Sequence, residues 1–227
     1  MDLLIIGDHH GDIENTLTYL EKLAELKFDV IVYSGDFTDV NTPKGFTQED
    51  IAELIIEELK TLKKPIVAVP GNTDTSEIVK ILEREKISIH GKGKVIKGVG
   101  FYGYGGAKTP FGTPLEPSEE ELKSGLEKAW KDIINTKQKI QVTHSPPYGT
   151  RLDVVQAGAH VGSRVVEEFI KSHKPIVAVS GHVLEARGTD KLGTTFLINA
   201  GKFPEGYFGL VNIQNNIVSG NVLNLIG

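Results

Sequence analysis

Six side chains in this sequence could together hold divalent cations: Asp8, His10, Asp36, Asn72, His144 and His182. They offer carboxylate oxygens, an amide oxygen and imidazole nitrogens. That mixture suits manganese, iron, nickel or zinc better than calcium, which prefers oxygen alone. Each follows directly on a short apolar run. LLIIG precedes Asp8-His9-His10, VIVYSG precedes Asp36, PIVAVPG precedes Asn72, KIQVT precedes His144 and PIVAVSG precedes His182. Runs this short and this rich in Val and Ile read as strands buried on both faces. Open α/β sheets place their ligand sites just beyond the carboxyl ends of their strands. A set of donors delivered to one sheet edge by successive strands is a metal-centre constellation, whereas any one of these residues alone is an ordinary cap, turn or buried histidine. The spacing Asp8-x-His10 places two donors on one side of an extended chain by strand alternation. Asn72 sits in Gly-Asn-Thr-Asp, which is also good turn chemistry.

The elements that must position these residues follow from hydrophobic periodicity. Strands are expected at 2–7, 29–34 and 65–69, with helices at 12–27, 47–62 and 75–86 between and after them. Thr47, three residues before Asp50, is the expected N-cap of the second helix. This βαβαβ order signals a mostly parallel sheet covered by helices. Short glycine-containing β runs follow over 87–104, then a loop over 105–116 and a helix over 117–135, with Trp130 as a core anchor. A strand at 139–143, a helix at 161–172 and a strand at 175–180 restore the α/β alternation. The tail, 193–225, reads as three strands joined by tight turns, one of them at Asn215-Asn216. The fold class is α/β: two mixed sheets packed as a sandwich flanked by helices, in one domain over residues 1–227. KPIVAVPG and KPIVAVSG are nearly the same sequence. Nothing recurs at a fixed period, so they read as two strands with one job rather than as a repeat.

Composition narrows the function classes. The chain has 227 residues, a 39% hydrophobic content and a net charge of −5. That balance argues against a general nucleic-acid or membrane-surface binder, which needs a basic face. Nucleic acid enters only as a nucleotide substrate. There are no cysteines, so disulfides and thiolate zinc sites are excluded. No basic leader or long apolar stretch opens the sequence, and a cytoplasmic protein is the expectation.

The five blocks, taken in order, resemble the calcineurin-like metallophosphoesterases. That family carries D-x-H, G-D, G-N-H-[DE], a lone H and G-H-x-H. The corresponding residues here are Asp8/His10, Gly35-Asp36, Gly71-Asn72, His144 and Gly181-His182. The segments GAKTPFGTP, THSPPYGTRLD and GHVLEARG look like the small archaeal members. The resemblance implies a four-layer α-β-β-α fold and two divalent metals bridged by Asp36. Asp8 and His10 would serve the first metal, and Asn72, His144 and His182 the second. It also implies in-line hydrolysis of a small phosphoester substrate by a metal-activated hydroxide. Asp8, Asp36, Asn72 and His144 would form the catalytic core.

Two positions depart from that pattern. Leu184 stands where the family's last histidine binds the first metal, so that site is weakened, with Glu185 as a geometrically awkward substitute. Thr73 stands where the family often has a proton-donating histidine. Without that acid, good leaving groups and phosphodiesters are favoured over difficult monoesters. The competing reading is a metal-binding or scaffolding module that has lost turnover through Leu184. A haloacid-dehalogenase mechanism with Asp8 as nucleophile needs a second Asp at position 10, where His10 stands.

The remaining features carry less. His9 points away from His10 by alternation, toward either the pocket or solvent. His90 is expected at the surface, His173 at a helix end where a cation suits the dipole, and His160 at the start of the 161–172 helix in a structural role. GVGFYGYGGAKT lacks the glycine a P-loop needs before its lysine, since Ala107 stands there. It reads as a strand and a flexible loop near the site. Arg151 and Arg187 are the cations best placed to meet substrate, with surface ion pairs as the equal alternative. Exposed strands of the C-terminal sheet could support a homodimer.

Overall fold

The computed structural model describes residues 1–226. Its elements run β1 (Asp2–Ile6), α1 (Ile13–Ala24), β2 (Val30–Tyr33), α2 (Gln48–Thr61), β3 (Ile66–Ala68), α3 (Ser76–Arg84), β4 (Lys92–Ile96) and β5 (Val99–Tyr104). Then come α4 (Glu119–Asp132), β6 (Gln138–Thr143), α5 (Arg164–His173), β7 (Val177–Ser180), β8 (Gly188–Leu192), β9 (Thr195–Asn199), β10 (Tyr207–Gln214) and β11 (Ile217–Asn224). The strands form two sheets, ordered β11-β10-β1-β2-β3 and β4-β5-β6-β7-β9-β8. In the first, β1, β2 and β3 are parallel, while β10 is antiparallel to β1 and β11 to β10. In the second, β5, β6, β7 and β9 are parallel, and β4 and β8 are antiparallel edges.

Strand alternation sorts the apolar residues into layers. Leu3, Ile5, Val32 and Val67 of the first sheet meet Phe101, Ile140, Val142 and Val179 of the second in the core between the sheets. The opposite faces of β1 and β2 put Leu4, Ile6, Ile31 and Tyr33 under α1, α2 and α3. Tyr102 of β5 lies under α4 and α5. The result is the expected pair of mixed sheets with helices outside. KPIVAVPG and KPIVAVSG do have a common job, since Val67, Val69, Val177 and Val179 all face the inter-sheet core.

The helices begin where their caps dictate. Thr47 caps α2 in a reciprocal capping box with Asp50, and Ser118 does the same for α4 with Glu121. Trp130 is partly buried and meets Tyr102 edge-on, with ring centroids 5.2 Å apart.

Three expectations change. The tail does hold three strands over 193–225, but β9 belongs to the second sheet and β10 and β11 to the first. The chain therefore crosses between sheets through a short 3₁₀ turn at Phe203–Glu205 rather than through a tight hairpin. A further strand, β8, precedes the tail and pairs with β9 as an edge. The fifth helix begins at Arg164 with Ser163 as its cap, so His160 lies ahead of it, in a loop where its Nδ1 sits 2.7 Å from Asp153 Oδ1.

Candidate metal centre

The donors gather at the carboxyl ends of both sheets. Asp8 and His10 lie on the turn leaving β1, Asp36 after β2, Asn72 after β3, His144 directly after β6 and His182 after β7. Asp8, Asp36 and His144 each offer a ligand atom within 4.8 Å of the others, and these three could hold a metal ion. His144 Nε2 lies 3.2 Å from Asp36 Oδ2 and 3.0 Å from Asn72 Oδ1. His10 Nε2 is 3.7 Å from Asp36 Oδ2. The His182 ring sits 5.2 Å from that of His144, and its backbone N–H donates to Asp8 Oδ1 at 3.1 Å.

Backbone lacing holds this arrangement. Asp8 N–H donates to Gly35 O, and the N–H groups of His9 and His10 both donate to Asp36 O. Asp8, His10, Asp36 and His182 all have positive φ, between 48° and 69°. Left-handed backbone is uncommon outside glycine and clusters where function over-determines the chain. It also explains His9. Between two left-handed residues, simple alternation fails, and His9 enters the core between Tyr33 and Phe203 with no exposure. It faces neither the pocket nor solvent.

Three glycines allow the close approach. A Cβ on Gly71 would fall 2.0 Å from Asp36 Oδ1, one on Gly35 2.5 Å from His144 Nδ1, and one on Gly181 2.6 Å from Asp8 Oδ2. Asp74 ties the loops together from beneath, accepting N–H bonds from Gly71, Phe37 and Thr38.

The electrostatics are those of a cation site. His144 donates Nδ1–H to Ser34 O at 2.8 Å, which turns Nε2 toward the carboxylates. Burial disfavours a charged His144, but Asp36 and Asp8 overcome it and push its pKa up to about 9. Burial also opposes ionisation of Asp36, yet the charge of His144 holds its carboxyl well below the usual range. Asp8 goes the other way: burial, with Asp36 adding to it against His144, raises it to about 7. His182 is lowered to about 4 by burial and by the neighbouring His144. Asp8 Oδ2 is buried without a hydrogen-bond partner. A buried carboxylate oxygen with no donor is what a cation would satisfy, so the residues present fit a divalent metal.

Several contributors escape a reading by motif. Asp39 Oδ2 lies 3.8 Å from His10 Nδ1. Thr113 accepts a bond from Asn72 Nδ2 at 3.3 Å, and Leu115 N–H donates to Asn72 O. The 105–116 loop is therefore moored to a site residue. His90 is not a free surface residue, because its Nδ1 accepts the Gly105 N–H at the root of that loop. Leu184 is half-buried in a 3₁₀ turn, Leu184–Ala186, and Glu185 accepts the Gln156 N–H. Arg187 lies over the Tyr207 ring at 4.1 Å, and Arg151 is exposed.

An α-β-β-α sandwich with Asp, His and Asn donors at the strand ends defines a metallophosphoesterase fold. The calcineurin-like phosphoesterase family profile matches residues 1–186, and the chain belongs to that family. It is 34% identical over 225 residues to the uncharacterised protein MJ1162 of Methanocaldococcus jannaschii, a match covering 96% of this chain and 95% of that one. Among solved structures, TT1561 of Thermus thermophilus superposes with a TM-score of 0.72 at 21% identity, over 98% of both chains. A protein described as a novel archaeal phosphodiesterase does so with a TM-score of 0.54 at 17% identity, over 98% of this chain and 100% of that one. Among the described residues no helix is long and apolar enough to cross a membrane.

Proposed function

We propose that this protein is a metal-dependent phosphoesterase acting on small phosphodiesters ahead of monoesters. The observation that carries the reading is the convergence of Asp8, Asp36 and His144 from two different sheets onto one point. Divalent ions held there, two of them in this reading, would supply Lewis acidity and activate a water for in-line attack at phosphorus.

The chain's own residues do the rest. Asp36 sits between the two halves of the donor set, with Oδ2 near both His10 and His144, and would be the ligand common to both. Asp8 and His10 complete the first half. Asn72, through its oxygen, with His144 and His182 completes the second. Asp8 would also help orient the attacking water, with its own Oδ1 held by the His182 N–H.

The preference for diesters rests on Thr73. Its hydroxyl lies 2.6 Å from Thr38 O and 2.7 Å from Asp36 Oδ1, so its single hydrogen is spent inside the site. No proton reaches a leaving group from there, which penalises poor leaving groups. The archaeal structure of similar fold described as a phosphodiesterase is consistent with this preference.

The test is hydrolysis of an activated aryl phosphodiester by chelator-stripped protein, before and after adding manganese. Activity that returns with metal and is absent in Asp36→Asn supports the proposal. Bound metal with no turnover would sink it and leave a binding module.

A further inference from the structure

We propose that Thr113, backed by Glu116, is a positioning residue that fixes the Asn72 amide with its oxygen toward the metal centre. The inference rests on the metal-centre reading above. Asn72 Nδ2 donates to Thr113 Oγ1 at 3.3 Å, while Asn72 Oδ1 lies 3.0 Å from His144 Nε2. Thr113 Oγ1 itself donates to Glu116 Oε1 at 2.7 Å. The same carboxylate oxygen takes the Thr113 N–H at 2.6 Å and the Thr109 hydroxyl at 2.5 Å.

The direction of this chain follows from the inventory of protons. An ionised carboxylate only accepts, and a threonine hydroxyl has one hydrogen. The hydroxyl and amide donors of Thr109 and Thr113 push the Glu116 carboxyl down to about 2, so it stays an acceptor across the working pH range. With its hydrogen committed to Glu116, Thr113 can only accept from Asn72. The NH₂ end of the amide must then face Thr113, and the oxygen must face the donors across the site. A flipped amide would present NH₂ to a cation and lose the ligand altogether. The backbone reinforces the arrangement, because Leu115 N–H donates to Asn72 O at 3.0 Å. Side chain and main chain of Asn72 are thus both held by the 113–116 segment. Groups behind metal ligands typically contribute roughly 10–100-fold to affinity.

Two readouts test this in the full chain. The Asn72 side-chain NH₂ protons are identified by NMR from their loss in Asn72→Asp, and manganese affinity is measured by calorimetry. In Thr113→Val the NH₂ protons should exchange faster with solvent and manganese affinity should fall roughly 10–100-fold, while Thr113→Ser restores both. Glu116→Ala should shift both readouts in the same direction, and it serves if Thr113→Val does not fold. Unchanged NH₂ exchange together with manganese affinity within about twofold of wild type, in a folded Thr113→Val or Glu116→Ala protein, overturns the proposal. If wild-type protein binds no manganese, the metal-centre reading fails. The NH₂ exchange still decides the role of Thr113: faster exchange in the variants supports it and unchanged exchange overturns it.

Discussion

Thr73 grips one oxygen of Asp36 twice, through its backbone N–H at 2.9 Å and its hydroxyl at 2.7 Å. Both contacts fall on Oδ1, which leaves Oδ2 to face His10 and His144. Thr73 is therefore a clamp on the Asp36 carboxylate. Thr73→Val keeps the N–H contact and loses the hydroxyl. It should lower manganese affinity by about tenfold, and Thr73→Ser should recover it. Calorimetric titration of the three proteins checks this.

Asp8 combines a left-handed backbone, an unpartnered buried oxygen and two acidic neighbours, Asp36 and Asp74. Each of these costs folding free energy, and asparagine relieves the charge repulsion, since it carries no charge. Asp8→Asn should raise the stability of chelator-treated protein by about 1–3 kcal/mol while abolishing phosphoesterase activity. Urea unfolding of both proteins in chelator reads the first effect. A destabilised variant would show that the carboxylate is satisfied in a way its contacts do not reveal.

Leu184 is half-buried two residues beyond His182, and Glu185 is engaged with Gln156. Nothing from that turn completes the Asp8–His10 half. Leu184→His should tighten the weaker of the two metals and so raise the number that stays bound per chain toward two, measured by elemental analysis after gel filtration. A ratio already at two in the wild type would mean that the leucine is no handicap.

His90 is half-buried, and its pKa is lowered to about 4 by desolvation. A base whose folded pKa lies below its unfolded value stabilises the fold above the unfolded pKa, near 6.5, and that stability is lost as pH falls through the folded pKa. Between pH 6.5 and 4 the protein should therefore lose about 3 kcal/mol on this account. His90→Gln keeps an acceptor for the Gly105 N–H and does not titrate. Its melting temperature should fall less steeply over that window.

Most strands and helices, and the Thr47 cap with Asp50, are legible in the sequence because each rests on local patterning. The donor set is legible because every donor ends an apolar run. Which sheet a strand joins is not legible. β9 and β10 are both apolar and close in sequence, yet β9 pairs with β7 and β10 with β1. β8, GTDKL, has no apolar alternation to announce it. His9 escapes a reading by alternation because it lies in a turn whose flanking residues are left-handed. The clamps on the donors join positions far apart in sequence, Thr73 to Asp36 and Thr113 to Asn72, and no local spacing encodes them.

Asp8, His10, Asp36 and Asn72 come from one sheet, and His144 and His182 from the other. A cation shared among them would be a rivet through the seam of the sandwich. Its binding energy would add to their shared apolar core in keeping the two layers in register, at the one end where their parallel strands stop. Chelation should then loosen that end first. Amide exchange would quicken in the loops after β2, β3, β6 and β7, while the hairpin of β10 and β11 at the far side keeps its protection.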